Sequence, residues 1–362
     1  MSTKQYEYDL VVYIGRFQPF HNGHHANFKR AAQLSKNVLA LIGSSVAPRT
    51  IKNPWTYDER KWAIETFVRE VYNLQVDGLR DYTYNDNKWI EQVGCKVAKA
   101  AKQIKGDKFN LFDAIAHKEF KIAIIGHDKD HSSFYLNFFP QWDYIDMPAY
   151  PNANDVIDSS KIRQLMFGGN RSFTKSVLPA GFGNEDVVSA FVDTPEFELL
   201  QGEWDFIEEY RKATRVGPYA PTFVTVDAIV EQSGHILLIQ RKDFPGKGLW
   251  AAPGGFVGEY EKLVDAMIRE LREEAGLKVP EKVLRGSIAH KDVFDDPGRS
   301  TRGRTFTHAF LIRLDDGADL PRLRAGDDAK HAEWKSLAEF DTMQGIMYED
   351  HFSMIKNMLA RS

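Results

Sequence analysis

The sequence predicts an α/β chain of two domains, a parallel sheet covered on both faces followed by an α+β domain. Three observations carry this. At 362 residues the chain exceeds one ordinary domain and lets each half bury its own core. Its first half alternates near-continuous apolar runs with amphipathic stretches, as strand–helix–strand units do. That alternation lapses after about residue 168, and a new strand pattern opens at Thr222.

Taken in order, Leu10–Ile14 (LVVYI), Val38–Ile42 (VLALI) and Lys121–Ile125 (KIAII) read as buried strands, each closely followed by glycine. Helical patterns lie between them at about 24–35, 57–71 and 88–105. Ligands of such sheets bind beyond the carboxyl ends of the strands, where Gly15 and Gly126 fall. After a polar stretch punctuated by Gly168, Gly169, Gly181 and Gly183, the acidic segment Glu196–Tyr210 reads as a helix with Pro195 at its start. Strands are expected at Thr222–Val230 and Thr305–Arg313, a strong helix at 261–275 and a terminal helix near 346–359. The expected division is a first domain over 1–181, a linker over 182–215 and a second domain over 216–362.

Composition narrows the class. Hydrophobic residues make up 43% and charged residues 27%, the mix of a globular protein, and the formal net charge of −4 gives no global reason to expect a nucleic-acid or membrane partner. No apolar run approaches the roughly 20 residues that span a bilayer, and the polar start MSTKQYEYD lacks the apolar core of a secretory signal. Cys95 is the only cysteine, which excludes an internal disulfide and fits a reducing, cytoplasmic setting.

The richest motif begins at Gly254: GGFVGEYEKLVDAMIRELREEAGL. On a helix Glu270, Glu273 and Glu274 stand at i, i+3 and i+4, so three carboxylates share one face. A hard divalent cation relieves their repulsion, because Mg²⁺ prefers carboxylate, water and phosphate oxygens. Val264, Met267, Ile268, Leu271 and Ala275 form the apolar face, Arg269 can brace Glu273, and Gly276 ends the helix. Any E-x-x-E-E is most often a solvated surface, but here every fixed position of G-x5-E-x7-R-E-U-x-E-E-x-G-U is filled (U a large aliphatic). The segment therefore resembles the Nudix box, and with it an α/β/α sandwich is expected. That resemblance implies metal ligation by Glu270, Glu273 and Glu274, with Glu273 and Glu274 also catalytic, Mg²⁺ or Mn²⁺ as cofactor, and diphosphate hydrolysis. The later loop carries Arg299, Arg302 and Arg304, whose planar forks suit a diphosphate and sugar. It resembles that of Nudix hydrolases acting on ADP-ribose. The general base stays open among Asp327, Asp328 and Glu333.

At the end of the first strand stands Gly15-Arg16-Phe17-Gln18-Pro19-Phe20-His21-Asn22-Gly23-His24. H-x-G-H is common by chance, but here it opens a helix, where free N–H groups attract phosphate and two histidines can bond to phosphoryl oxygens. The run resembles the H-x-G-H nucleotidyltransferases, most closely the nicotinamide mononucleotide (NMN) adenylyltransferases. Ile157-Asp158-Ser159-Ser160-Lys161-Ile162-Arg163 resembles the family's I-S-S-T-x-x-R, with Asp158 departing from a serine. The resemblance implies a Rossmann-like nucleotidyltransferase domain. His21, His24 and Arg163 would be catalytic, and Gly15, Arg16, Phe17, Ser159 and Ser160 would lie on ATP or substrate phosphates. Gly126, His127 and Asp128 would face the adenine, and Trp55 or Trp89 the pyridinium ring through stacking. In that reading ATP is a substrate, NMN receives AMP, and the products are NAD and pyrophosphate.

Together the two matches cover nearly the whole chain, in the order of bifunctional NMN adenylyltransferase/Nudix proteins. The implied second activity cleaves ADP-ribose to AMP and ribose 5-phosphate. Rival readings make the Nudix domain a nucleotide sensor that does not hydrolyse, or give it another nucleoside diphosphate derivative. The expected partners are small nucleotides (ATP, NMN, NAD, ADP-ribose), with a homo-oligomer left open. The preference between NMN and its deamidated form, and communication between the sites, are not encoded in any of these motifs.

Overall fold

A computed structural model describes residues 5–106, 120–127, 136–149, 151–152, 155–156, 158–169, 188, 191–317, 319–326 and 329–361. The chain divides into two compact units, Met1–Leu200 and Gln201–Ser362.

In the first unit five strands lie parallel in the order β3-β2-β1-β4-β5, with β1 Leu10–Gly15, β2 Asn37–Ile42, β3 Asn73–Gly78, β4 Ile122–Gly126 and β5 Asp143–Asp146. The helices are α1 Asn22–Leu34, α2 Tyr57–Phe67 and α3 Asp86–Lys105, with α4 Ser159–Phe167 near the unit's end. A short two-stranded ribbon pairs β6 Pro151–Asn152 with β7 Asp155–Val156. Alternation along β1 explains the layering. Leu10, Val12 and Ile14 enter one core with Val93, Val97 and Ala101 of α3, while Val11 and Tyr13 enter the other with Phe28 of α1 and Ile64 of α2. The chain runs from β1 outward to β2 and β3, then returns through α3 to β4 on the other side of β1. The carboxyl ends of β1 and β4 therefore flank the switch point, the place where open parallel sheets bind ligands.

Two strands of this sheet went unread in the sequence, and both are edges. β3 (NLQVDG) and β5 (DYID) are partly or wholly exposed, so they lack the continuous apolar run of β1, β2 and β4. Helix α2 stops at Phe67 rather than 71.

Helix α5, Pro195–Thr214, starts at the expected proline and contains the point where the two units divide. In the second unit β8 Thr222–Gln232, β9 His235–Arg241, β10 Trp250–Ala251, β12 Ile288–Phe294 and β13 Arg304–Arg313 run in the order β10-β9-β8-β13-β12. β11 Gly254–Phe256 also pairs with β8, and β14 Ala329–Ser336 with β9. Helix α6, Leu263–Ala275, packs on β8 and β11 and buries Met267, Ile268, Leu271 and Ala275 against Val226, Ala228 and Phe310. Short helices α7 Glu281–Gly286 and α8 Leu337–Phe340 follow. Helix α9, His351–Leu359, packs on β12 and β13, and its His351 reaches Asp227, whose side chain alternates to the face opposite Val226 and Ala228. An α/β/α sandwich results.

The terminal helix begins at His351, not at 346. A 3-10 turn over Met343–Ile346 precedes it, and the residues between serve the site described next.

Two candidate active sites

Where β1 ends, Phe17 turns back with φ 52°, and its ring lies so close to Gly15 that a Cβ there would sit 2.9 Å from it. His21 is the N-cap of α1. Its Nδ1 accepts from Gly23 N at 3.1 Å, while His24 Nδ1 accepts from His21 N at 3.3 Å. Both bonds fix the tautomer, placing the remaining proton of each ring on Nε2. The two rings stack at 3.7 Å, and those of Tyr13, Phe17 and Phe20 surround His24. Burial, and then the neighbouring His21, hold the His24 pKa well below the ordinary imidazole value. The motif thus presents two Nε2–H donors at the helix N-terminus.

Arg163 of α4 comes to the same place. Its guanidinium donates to Gln18 O and, at 3.1 Å, to Ser160 Oγ. Burial, with Arg16 nearby, lowers its pKa to about 9. Ser159 Oγ donates to Pro19 O at 3.3 Å. The departure at Asp158 has a visible effect: its carboxylate caps α4, accepting from Ser160 N at 2.5 Å and Lys161 N at 3.4 Å. Two of the N–H groups at the start of α4 are thereby engaged. His127 Nδ1 lies 2.7 Å from Met147 O, and Gly126 O accepts from Met147 N at 2.8 Å, so both anchor β4 to the chain after β5. Asp128 lies outside the described residues, as does Ile157.

The tryptophans separate. Trp55 is buried, its ring 5.1 Å from Phe191 and its backbone bonded on both sides to the Gln18 amide. It packs where a stacking platform was expected. Trp89 is half-buried beside Phe138 and Phe139. One residue of this site was not singled out in the sequence. Arg60 is 3% exposed and donates to Arg16 O and Gly43 O at 2.7 Å each and to Ser44 O at 3.0 Å. It ties the loops that leave β1 and β2. Its signal was positional, since Arg60 stands with Ala63, Ile64 and Phe67 on the buried face of α2.

In the second unit α6 carries Glu270, Glu273 and Glu274, but the three do not converge alone. Arg269 donates to Glu261 at 2.9 Å, Glu270 at 2.8 Å and Glu273 at 2.9 Å. Glu274 turns inward to accept from Gly254 N at 2.9 Å. No group of three metal-ligating side chains gathers among the described residues. Arg269 Nη1 bridges Glu270 and Glu273, as its place four residues before Glu273 suggested.

The donor set still suits a hard cation. Burial raises the Glu274 pKa to about 8, with further increases from Glu270 and Asp227, and it raises that of Glu270 as well. These are desolvated carboxylate oxygens, hard donors of the kind a divalent cation takes. Gly255 lets the Glu270 carboxylate approach closely, because a Cβ there would lie 2.4 Å from Glu270 Oε1.

The arginine loop is put to several uses. Arg299 is buried and donates through two nitrogens to Asp350, each at 3.0 Å, so it clamps its loop to the start of α9. Arg304 lies over the Phe306 ring at 4.4 Å and bonds back to Asp295. Arg302 lies over Phe256 at 4.9 Å, beside the Nudix turn. Of the three suggested bases, Asp327 and Asp328 lie outside the described residues, and Glu333 is exposed on β14 and paired with Lys335 at 2.8 Å.

Comparison with known proteins agrees with both halves. Residues 12–165 match the cytidylyltransferase-like family model and residues 221–358 the NUDIX domain model. A nicotinamide/nicotinic acid mononucleotide adenylyltransferase of Acinetobacter baylyi is 31% identical over 55% of this chain and 95% of its own length. An ADP-ribose pyrophosphatase of Methanocaldococcus jannaschii is 38% identical over 39% of this chain and 75% of its own. A crystal structure of a bifunctional NMN adenylyltransferase/ADP-ribose pyrophosphatase from Francisella tularensis, complexed with AMP and a manganese ion, is 36% identical. It covers 98% of this chain and 99% of that one at a TM-score of 0.87. No helix among the described residues is long and apolar enough to cross a membrane. With a histidine pair at one switch point, a filled Nudix box on α6 and a match along both, this chain belongs to the family of bifunctional NMN adenylyltransferase/Nudix (ADP-ribose pyrophosphatase) proteins.

Proposed function

We propose that this chain makes NAD at its first site and hydrolyses ADP-ribose at its second. The observation that carries the reading is that both constellations are present on one chain: the stacked His21 and His24 at the end of β1, and Glu270, Glu273 and Glu274 on α6.

At the first site an oxygen of the NMN phosphate attacks the α-phosphorus of ATP. That P–O bond forms, the bond to the bridging oxygen breaks, and pyrophosphate departs. The nucleophile comes from the substrate, so the residues need only position and stabilise. The Nε2–H groups of His21 and His24 donate to the α-phosphoryl oxygens as charge builds. Arg163 supplies fixed positive charge beside them. Arg60 acts on these groups indirectly, by holding the Arg16 and Gly43 carbonyls.

At the second site water attacks one phosphorus of ADP-ribose, the bridging P–O bond breaks, and AMP and ribose 5-phosphate leave. Glu270, Glu273 and Glu274 would hold Mg²⁺ or Mn²⁺, which when bound polarises the diphosphate and acidifies water. Arg269 Nη1 bridges Glu270 and Glu273, and Gly254 N orients Glu274. A cytoplasmic setting, with ATP, NMN, NAD and ADP-ribose as its small-molecule partners, accompanies this reading.

A paired assay tests both halves. NAD formation from NMN, ATP and Mg²⁺, and ADP-ribose hydrolysis with Mg²⁺, are measured for wild type, His24→Ala and Glu273→Gln. Each substitution should lower one activity by at least about 100-fold and leave the other within about twofold. Absence of NAD formation in the wild type refutes the first assignment. Tight ADP-ribose binding without turnover would instead make the second unit a sensor.

A further inference from the structure

His351 at the start of α9, Asp227 on β8 and Thr307 on β13 are buried polar side chains with no part in the reactions above. They are joined in a definite order. Thr307 Oγ1 donates to Asp227 Oδ2, and Asp227 Oδ1 faces His351 Nε2 at 3.9 Å. On the other side of the ring, His351 Nδ1 accepts from Ala252 N at 3.1 Å. That bond needs an unprotonated Nδ1, so the imidazole is neutral and carries its proton on Nε2, toward the carboxylate.

The series ends on the turn that orients one of the α6 carboxylates. Ala252, Pro253 and Gly254 lead from β10 into β11, and each is tied to a different element. Ala252 N donates to His351, Pro253 O accepts from Ala228 N at 2.8 Å, and Gly254 N donates to Glu274 at 2.9 Å. Gly254 also rides directly on β8, where a Cβ would lie 2.6 Å from Asp227 Oδ1 and 2.2 Å from Val226 O. Asp227 therefore lies between the His351 ring and the Gly254 backbone. Ala252 is 2% exposed, so without the His351 acceptor its N–H stays unpaired inside the fold unless the turn shifts. A shift of the turn carries Gly254 N, and with it the oxygen of Glu274 that this N–H holds.

We propose that His351 is a positioning residue for the cation site of the hydrolase. By holding Ala252 N, with Asp227 and Thr307 as its support, it sets the turn whose Gly254 N aims Glu274. This rests on the reading that Glu270, Glu273 and Glu274 hold the divalent cation. Groups that orient metal ligands from outside the coordination sphere change metal affinity when they are lost, without touching the metal.

Mn²⁺ binding to the whole chain without nucleotide, followed through the electron paramagnetic resonance signal of the free ion, tests it. The variants are His351→Leu, which loses the acceptor, His351→Asn, whose side-chain oxygen can replace Nδ1, and Glu273→Gln, which marks the site. His351→Leu should weaken the Glu273-dependent binding about tenfold and raise the Mg²⁺ concentration for half-maximal ADP-ribose hydrolysis by a similar factor. His351→Asn should bind Mn²⁺ within about twofold of wild type, because the bond to Ala252 N is restored. A merely structural histidine would lower the melting temperature and leave Mn²⁺ affinity alone. Wild-type affinity in His351→Leu would overturn the positioning role, and so would an asparagine variant as weak as the leucine one. Thr307→Val, isosteric and without the hydroxyl, serves if His351→Leu does not fold. It should weaken Mn²⁺ binding about threefold, and unchanged affinity there would count against the role. Equal Mn²⁺ binding by wild type and Glu273→Gln would remove the carboxylate site itself, and the role of His351 with it.

Discussion

Glu203 of α5 is a buried carboxyl, 7% exposed, that faces Arg241, Glu349 and the Gly246 N–H. Burial pushes its pKa up to about 7 from 4.5, against the lowering effect of the Gly246 bond. The folded state therefore holds this proton at pH values where the unfolded chain has lost it. Its contribution is neutral below about 4.5, and stability falls as pH rises toward 7, by at most about 3 kcal/mol. Glu203→Gln should remove that slope. Denaturation midpoints at pH 5 and pH 8 should differ less for the variant than for the wild type, with the variant the more stable at pH 8. A single side chain of this kind was not legible in the sequence, because nothing in EFELLQGEWDFIEEY distinguishes Glu203 from the exposed acids around it. Arg299 is the converse case. Its place beside Arg302 and Arg304 suggested a substrate contact, but not that two of its nitrogens donate to Asp350, distant in sequence.

In the parallel sheet, strands were legible in proportion to how completely they are buried. β1, β2 and β4 are apolar on both faces and were read within a residue or two. β3 and β5 lie at sheet edges and carry mixed residues, and β14 (AKHAEWKS) has only Ala329 fully buried, so neither length nor period betrayed them. Helix α6 was read almost whole because its apolar stripe and the glycine at its end agree. The turn before it makes a sharper prediction. A methyl at Gly255 would collide with the Glu270 carboxylate at 2.4 Å, so Gly255→Ala must displace a ligand-bearing side chain. ADP-ribose hydrolysis should fall at least about tenfold, with NAD formation unchanged, in the same pair of assays. Retention of full hydrolysis would show that Glu270 can move without loss.

The two compact units have separate cores, one built around α6 and β8 and the others on the two faces of the parallel sheet. Damage to one core should therefore stay local. Leu271 is fully buried under α6, and Leu271→Ala should cost about 2–5 kcal/mol. Calorimetry should show the unfolding of the second unit moving down in temperature, while NAD formation at 25 °C persists. A loss of both activities together would show that the units fold as one.

By itself the sequence determined the two-unit α/β plan, the histidine pair and the carboxylate helix, because each is a local pattern: a period, a cap or a spacing along one element. Only the tertiary structure decided that Glu274 turns inward onto Gly254 N, that Arg60 ties two loops, and that Asp350 holds Arg299. Those outcomes depend on which residues from distant segments are desolvated together, and a buried charge or hydroxyl acquires its meaning from the partners packed around it.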